Sequence, residues 1–230
     1  MILFLRRSLE ETDAFKKMPS HPRRVADVVR VVAANWRLML SGMMLVVFTT
    51  TTFYLITAYT PTFGKQALHL HSRTLFLVTL CVGLSNFIWL PIAGSLSDRI
   101  GRRPLVTIVP VLALLTAYPA MEWLVASPSF THLLVVELWF SALFGFYNGG
   151  MVPLLVEIMP ASVRTAGFSL AYSLATAVFG GFTPAISTYL IERTGNRASP
   201  ALWLMKAAAV SLIGVFLSRG GSAEREPLSS

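Results

Sequence analysis

Six stretches of this 230-residue chain are apolar for long enough to cross a bilayer: Trp36 to Thr60, Thr74 to Leu96, Pro104 to Val125, Thr131 to Ile158, Ala166 to Leu190 and Ala201 to Leu217. A hydrocarbon core takes about 20 residues of helix. Hydrocarbon offers no water to satisfy free backbone N–H and C=O groups, so such stretches must be helical throughout. Hydrophobic residues make up 54% of the chain and charged residues only 13%, which excludes an ordinary soluble domain. The formal net charge of +8 does not signal nucleic-acid binding, because the basic residues cluster at the flanks of the apolar stretches. The single Cys81 lies inside an apolar stretch, which allows no disulfide within the chain and suits a small buried hydrophobe.

The flanking charges also predict orientation. Alternating crossings place Lys65, Arg73, Arg193, Arg197 and Lys206 on one side and the majority of the 19 basic residues on the other. Cytoplasmic loops carry the excess of Lys and Arg, so both termini are expected in the cytoplasm of a multi-pass protein of the cell (inner or plasma) membrane. Three regions follow. Residues 1–35 begin with an apolar Met1 to Leu5, expected as the last turn of a preceding helix, and continue as a polar cytoplasmic segment in which Pro22 to Arg37 could form an interfacial helix. Residues 36–217 form the six-helix bundle, and 218–230 a polar cytoplasmic tail.

Between the second and third stretches, Gly94-Ser-Leu-Ser-Asp98-Arg99-Ile-Gly101-Arg102-Arg103-Pro104 reads as a basic cytoplasmic turn. Gly94 is expected to let two backbones approach, Asp98 to accept hydrogen bonds at a neighbouring helix start, and Gly101 to turn the corner with φ > 0. Pro104 suits the first turn of the next helix. The fourth and fifth helices are rich in Gly and Pro, at Gly145, Gly149, Gly150, Pro153, Gly167, Gly180, Gly181 and Pro184, which fits either tight packing or a bundle that moves.

The Gly94 to Pro104 turn resembles the signature cytoplasmic loop of the major facilitator superfamily, and Glu157-Ile-Met-Pro160-Ala-Ser-Val-Arg164-Thr-Ala-Gly167 resembles a second element of that family. The resemblance implies an all-α transmembrane fold in which twelve helices form two six-helix halves. Arg6-Arg7-Ser8-Leu9-Glu10-Glu11-Thr12 is similar to the central loop of the metabolite:proton symporter branch, so the chain looks like a C-terminal half whose N-terminal partner half is expected elsewhere. Within that branch Phe48 to Gly64, Ser85 to Pro91, Tyr147 to Gly149 and Gly167 to Pro184 look most like citrate-proton symporters. The implied function is proton-coupled symport of citrate or a related tricarboxylate by alternating access. A non-transporting membrane protein, or a carrier of another organic acid, remains the alternative.

A polyanion in a low-dielectric site needs cations or strong donors. These helices offer neutral donors, so the neutralising charges are expected on the facing half. Thr52, Tyr54, Asn86, Tyr147, Asn148, Ser169, Tyr172 and Ser173 are the candidates to line the substrate path, with Thr49, Thr51 and Thr176 beside them; any single hydroxyl can equally bond back to its own helix. Glu137, about two turns into the fourth helix, is the proton-coupling candidate, or snorkels outward. Glu122 reads as a solvated interfacial group. Gly94, Asp98, Arg99, Gly101, Arg102, Arg103, Glu157 and Arg164 compose the cytoplasmic gate; by resemblance Glu157 pairs with Arg102 or Arg103, and Asp98 is expected near Arg164 at the start of the fifth helix. His21, His69, His71 and His132 fall in loops or at interfaces. No metal-ligand spacing, cofactor motif or catalytic constellation appears, so neither an enzyme nor a bound cofactor is expected. The expected partners are lipid, a small organic acid, protons and the facing half.

Overall fold

A computed structural model describes residues 35–159 and 164–220. Of the interfacial helix expected over Pro22 to Arg37, the part before Asn35 lies outside those residues, as do the segment like a central loop, Pro160 to Val163 and the tail beyond Gly220; Trp36 and Arg37 belong to the first span. The described residues form six helical spans long and apolar enough to cross a membrane: α1 (Trp36–Gln66), α2 (Ser72–Ile100), α3 (Arg102–Ala126), α4 (Phe130–Ile158), α5 (Arg164–Thr194) and α6 (Pro200–Ser218). They contain no strand. Each expected stretch is present, extended by a few residues at its ends.

Local chemistry explains the corners. Gly101, at φ 93°, joins α2 to α3 with a single residue, a conformation open to glycine at little cost. The Ser129 hydroxyl accepts the His132 backbone N–H at 3.2 Å and caps α4. Gly195 (φ 68°) ends α5 in the left-handed conformation, its N–H donating to Ile191 O at 2.8 Å. Two spans are not uniform α-helix. Leu55–Tyr59 in α1 and Thr176–Gly180 in α5 are π-helical, closed by Thr60 N–H to Leu55 O and Gly181 N–H to Thr176 O. Each π segment lies within one helical turn upstream of a proline, Pro61 after Tyr59 and Pro184 after Gly180. Proline lacks the N–H that the preceding turn needs and crowds its carbonyl, so the ladder widens upstream.

Packing pairs α2 with α4, α1 with α6, α3 with α4, α3 with α6, α1 with α5 and α1 with α4. Exchanging α1 with α4, α2 with α5 and α3 with α6 maps that set of pairs onto itself. Three helices per unit is an odd number, so the second unit runs opposite to the first, which is the inverted-repeat arrangement. α1 is the most enclosed span, with 72% of its apolar window buried against 22% for α2 and α5. The outward faces of α2 and α5 carry Phe76, Leu80, Phe87, Leu170, Val178 and Phe182. These surfaces suit lipid or a second helical body.

Small residues set the closest approaches. A Cβ on Gly149 of α4 would lie 2.6 Å from the Ala93 carbonyl carbon and 2.8 Å from Gly94 N on α2. A Cβ on Gly94 would meet nothing within 4 Å. The close approach expected of Gly94 is therefore made by the glycine opposite it, because Gly149 is the residue that points at the neighbouring backbone.

Candidate functional site

At the Gly101 end of the bundle Arg102 holds two acids at once. Its Nη1 lies 2.9 Å from Asp98 Oδ1 and its Nε 2.9 Å from Glu157 Oε1, tying α2, α3 and α4 together. The pairing expected of Glu157 is thus made through Arg102. Asp98, expected beside Arg164, forms its ion pair with Arg102 instead, and no hydrogen bond or ion pair links it to Arg164. The reason is reach: the single-residue turn at Gly101 places Arg102 one helical turn from Asp98. Arg99 and Arg164 are exposed and Arg103 is half-buried.

The polar candidates inside the bundle divide by where they point. Tyr147 is fully buried, and its hydroxyl donates to Leu45 O at 2.7 Å and contacts Ser211 Oγ, joining α4 to α1 and α6. Thr52 is buried and bonds back to Phe48 O at 2.7 Å. Asn86, 9% exposed, accepts a 2.7 Å hydrogen bond at Oδ1 from Ser141, which also touches Ser85. Of these three residues, expected along a substrate path, Tyr147 and Asn86 spend their polar groups on helix-to-helix contacts and Thr52 on its own helix, because a buried polar group in hydrocarbon must find a partner. Five candidates keep access to a surface. Ser169 and Ser173, four residues apart, form an exposed polar stripe on α5, whereas Tyr54, Asn148 and Tyr172 are half-buried. Asn148 Oδ1 and the hydroxyls of Thr49, Thr51 and Thr176 are buried without a hydrogen-bond partner.

Tyr54 sits where the two irregular helices meet. A Cβ on Gly180, in the π segment of α5, would lie 2.8 Å from the Tyr54 ring. Gly180 thus makes room for the phenol beside an already widened turn. Further along α1, Thr60 Oγ1 lies 2.6 Å from Glu137 Oε1 and 3.1 Å from Leu55 O. Glu137 is 5% exposed, so it does not snorkel outward, and its Oε2 has no partner. A carboxyl buried among apolar residues with one hydrogen bond is costly to keep charged. Thr60 escaped notice in the sequence, where only its place one residue before Pro61 was a signal. Glu122 Oε1 receives Asn196 Nδ2 at 3.3 Å, and the same amide reaches Tyr118. Glu122 thus links α3 to the α5–α6 corner in addition to meeting solvent.

Apart from Lys206, which is exposed on α6, every Lys and Arg within the described spans sits within one residue of a span's end. The middle of the bundle therefore presents hydroxyl, phenol and amide groups with one buried acid.

The model of the sugar (and other) transporter family matches residues 6–218. The chain belongs to that family of the major facilitator superfamily. It is 53% identical over 225 residues to the citrate-proton symporter of Salmonella typhi, covering 96% of this chain and 52% of the relative. It is 55% identical over 212 residues to that of Klebsiella pneumoniae, covering 92% of this chain and 48% of the relative. The proline/betaine transporter of Escherichia coli K12 is 28% identical over 92% of this chain and 44% of its own length. The chain spans about half the length of the curated relatives it matches. Family membership and six membrane-length spans make it a multi-pass membrane protein of a transporter family.

Proposed function

We propose that this chain is the C-terminal six-helix half of a proton-coupled symporter for citrate or a related tricarboxylate, working by alternating access and catalysing no covalent chemistry. The observation that carries the reading is identity above 50% to two citrate-proton symporters along nearly the whole chain. The polar face of α1, α4 and α5, with Tyr54, Asn148, Ser169, Tyr172 and Ser173, would bind substrate by neutral donors. The neutralising cations would come from the facing six-helix half, because the described spans hold their basic residues almost entirely at their ends. A single charge at mid-membrane costs at least about 2.5 to 3.5 kcal/mol on insertion scales, so citrate has no stable place on this face alone. Glu137 would carry the coupled proton. Arg102, with Asp98 and Glu157, would form the cytoplasmic gate, with both termini in the cytoplasm and the protein in the inner or plasma membrane.

The test is uptake of labelled citrate by proteoliposomes under an inward proton gradient. The 230-residue chain alone is expected not to accumulate citrate, and reconstitution with a facing half is expected to give saturable uptake abolished by an uncoupler. Saturable accumulation by the chain alone would overturn the half-transporter reading. The match to proline/betaine transporters favours a second reading, a carrier of another organic solute. Uptake inhibited by excess betaine or proline and indifferent to citrate would select it.

A further inference from the structure

We propose that Thr60 is a positioning residue that converts proton occupancy of Glu137 into a change at the π segment of α1. The inference rests on the proton-coupled reading above and goes beyond it by naming the mechanical link. A threonine hydroxyl has one proton to give. Thr60 Oγ1 stands within hydrogen-bond distance of two acceptors, Glu137 Oε1 at 2.6 Å and Leu55 O at 3.1 Å. Leu55 O is also the carbonyl that receives the Thr60 N–H and closes the π turn. One proton cannot make a full, linear hydrogen bond to both acceptors at once.

The choice between them follows the proton. With Glu137 ionised, the Thr60 proton goes to the carboxylate, the stronger charge-assisted acceptor, and Leu55 O keeps only its backbone bond. With Glu137 protonated by one proton from the aqueous phase, the acid donates its own O–H to Thr60 Oγ1, and the Thr60 proton turns to Leu55 O. The only covalent bond that forms or breaks is the carboxyl O–H, made with the proton taken from the aqueous phase; the rest is an exchange of hydrogen bonds. Each state gives the π turn a different number of hydrogen bonds, and a π turn is a low-stability element that a single bond can bias. Tyr54, whose ring lies on Gly180 of α5, immediately precedes that turn. The proton at α4 is thus felt where α1 meets α5, on the face proposed to bind substrate.

No other ionisable group competes for Glu137. On the outer parts of neighbouring spans stand Tyr59 and Lys65 of α1, Arg73 and Cys81 of α2, and Tyr118 and Glu122 of α3; on α4 itself stands His132. None forms a hydrogen bond or ion pair with Glu137, nor do Tyr54 of α1 and Tyr172 of α5. Arg37, Asp98, Arg99, Arg102, Arg103, Glu157 and Arg164 belong to the Gly101 end of the bundle, and Tyr147 is bound to Leu45 and Ser211. Thr60 is the polar contact that Glu137 makes.

The test uses the whole chain in lipid nanodiscs, with Cys81→Ser and a reporter thiol at the exposed Ala58 of the π segment, Ala58→Cys. Maleimide labelling is followed from mildly acidic to mildly alkaline buffer and normalised to Ser127→Cys in the α3–α4 loop, which cancels the thiol's own pH dependence. The normalised rate is expected to change severalfold with pH in the otherwise native chain. It should be constant in Glu137→Gln and in Thr60→Val, and pH-dependent again in Thr60→Ser, which retains the hydroxyl. A pH dependence that survives in Glu137→Gln or in Thr60→Val overturns the proposal, as does its absence from the native chain. If Thr60→Val does not purify as monodisperse protein, the native chain and Glu137→Gln still decide. No citrate is present in this measurement, so failure of citrate uptake and failure of the Thr60 link are separate results.

Discussion

Gly149 and Tyr147 are two residues apart on α4 and do opposite kinds of work. Gly149 gives space to the Ala93–Gly94 backbone, so Gly149→Ala forces a Cβ to within 2.6 Å of main-chain atoms that cannot rotate away. Overpacking of this kind costs about 1 to 3 kcal/mol. We expect Gly149→Ala to lower the thermal unfolding midpoint of the purified protein, and Gly94→Ala, which meets nothing, to leave it in place. Tyr147 instead fills space and spends its hydroxyl on Leu45 O and Ser211. Tyr147→Phe is expected to cost about 0.5 to 1.5 kcal/mol by the same assay. Because its ring packs edge-to-face with Phe48 inside the bundle, at 4.9 Å between centroids, substrate preference should not change. A changed preference with unchanged stability would return Tyr147 to the substrate path.

Between helices, polar side chains decide which contacts are fixed and which can slide. The Ser141–Asn86 bond fixes α4 on α2, and Asn196 ties the α5–α6 corner to α3. The Arg102 bridge is different, since Asp98 and Glu157 are both more than half exposed. Exposed ion pairs contribute about 0 to 1 kcal/mol each and weaken with salt. Asp98→Asn should therefore barely change the unfolding midpoint. In a two-half transporter that same substitution is expected to shift the inward/outward equilibrium, read by thiol accessibility on either side, because a few tenths of a kcal/mol matter only where two states are nearly balanced. An accessibility pattern and transport rate both equal to those of the unsubstituted protein would remove Asp98 from the gate.

Over the whole sequence, the side of the spans that holds Gly101 receives fourteen of the 19 Lys and Arg residues, against Lys65, Arg73, Arg193, Arg197 and Lys206 for the other, and that asymmetry yields an orientation. Introduced into the Cys81→Ser chain, Arg103→Cys is expected to react with an impermeant maleimide only after the cell membrane is opened, and Ser127→Cys before it. The reverse order would invert the topology. The six spans, their number and their approximate ends were legible in the amino-acid sequence because the bilayer is a strong one-dimensional filter. Apolar length and the side on which Lys and Arg fall need no knowledge of neighbours. The Gly101 corner was legible for a similar reason, since its demand is on a single residue's backbone. Which polar groups face a path and which face another helix was not legible. Thr52, Asn86 and Tyr147 look like Tyr54 and Asn148 in a string of letters, and only the packing of α1, α2, α4 and α6 turned the first three inward. The bond between Thr60 and Glu137, 77 positions apart, was equally out of reach. It depends on the rotation of α4 against a π turn in α1, and helix rotation is set by the side chains of other spans.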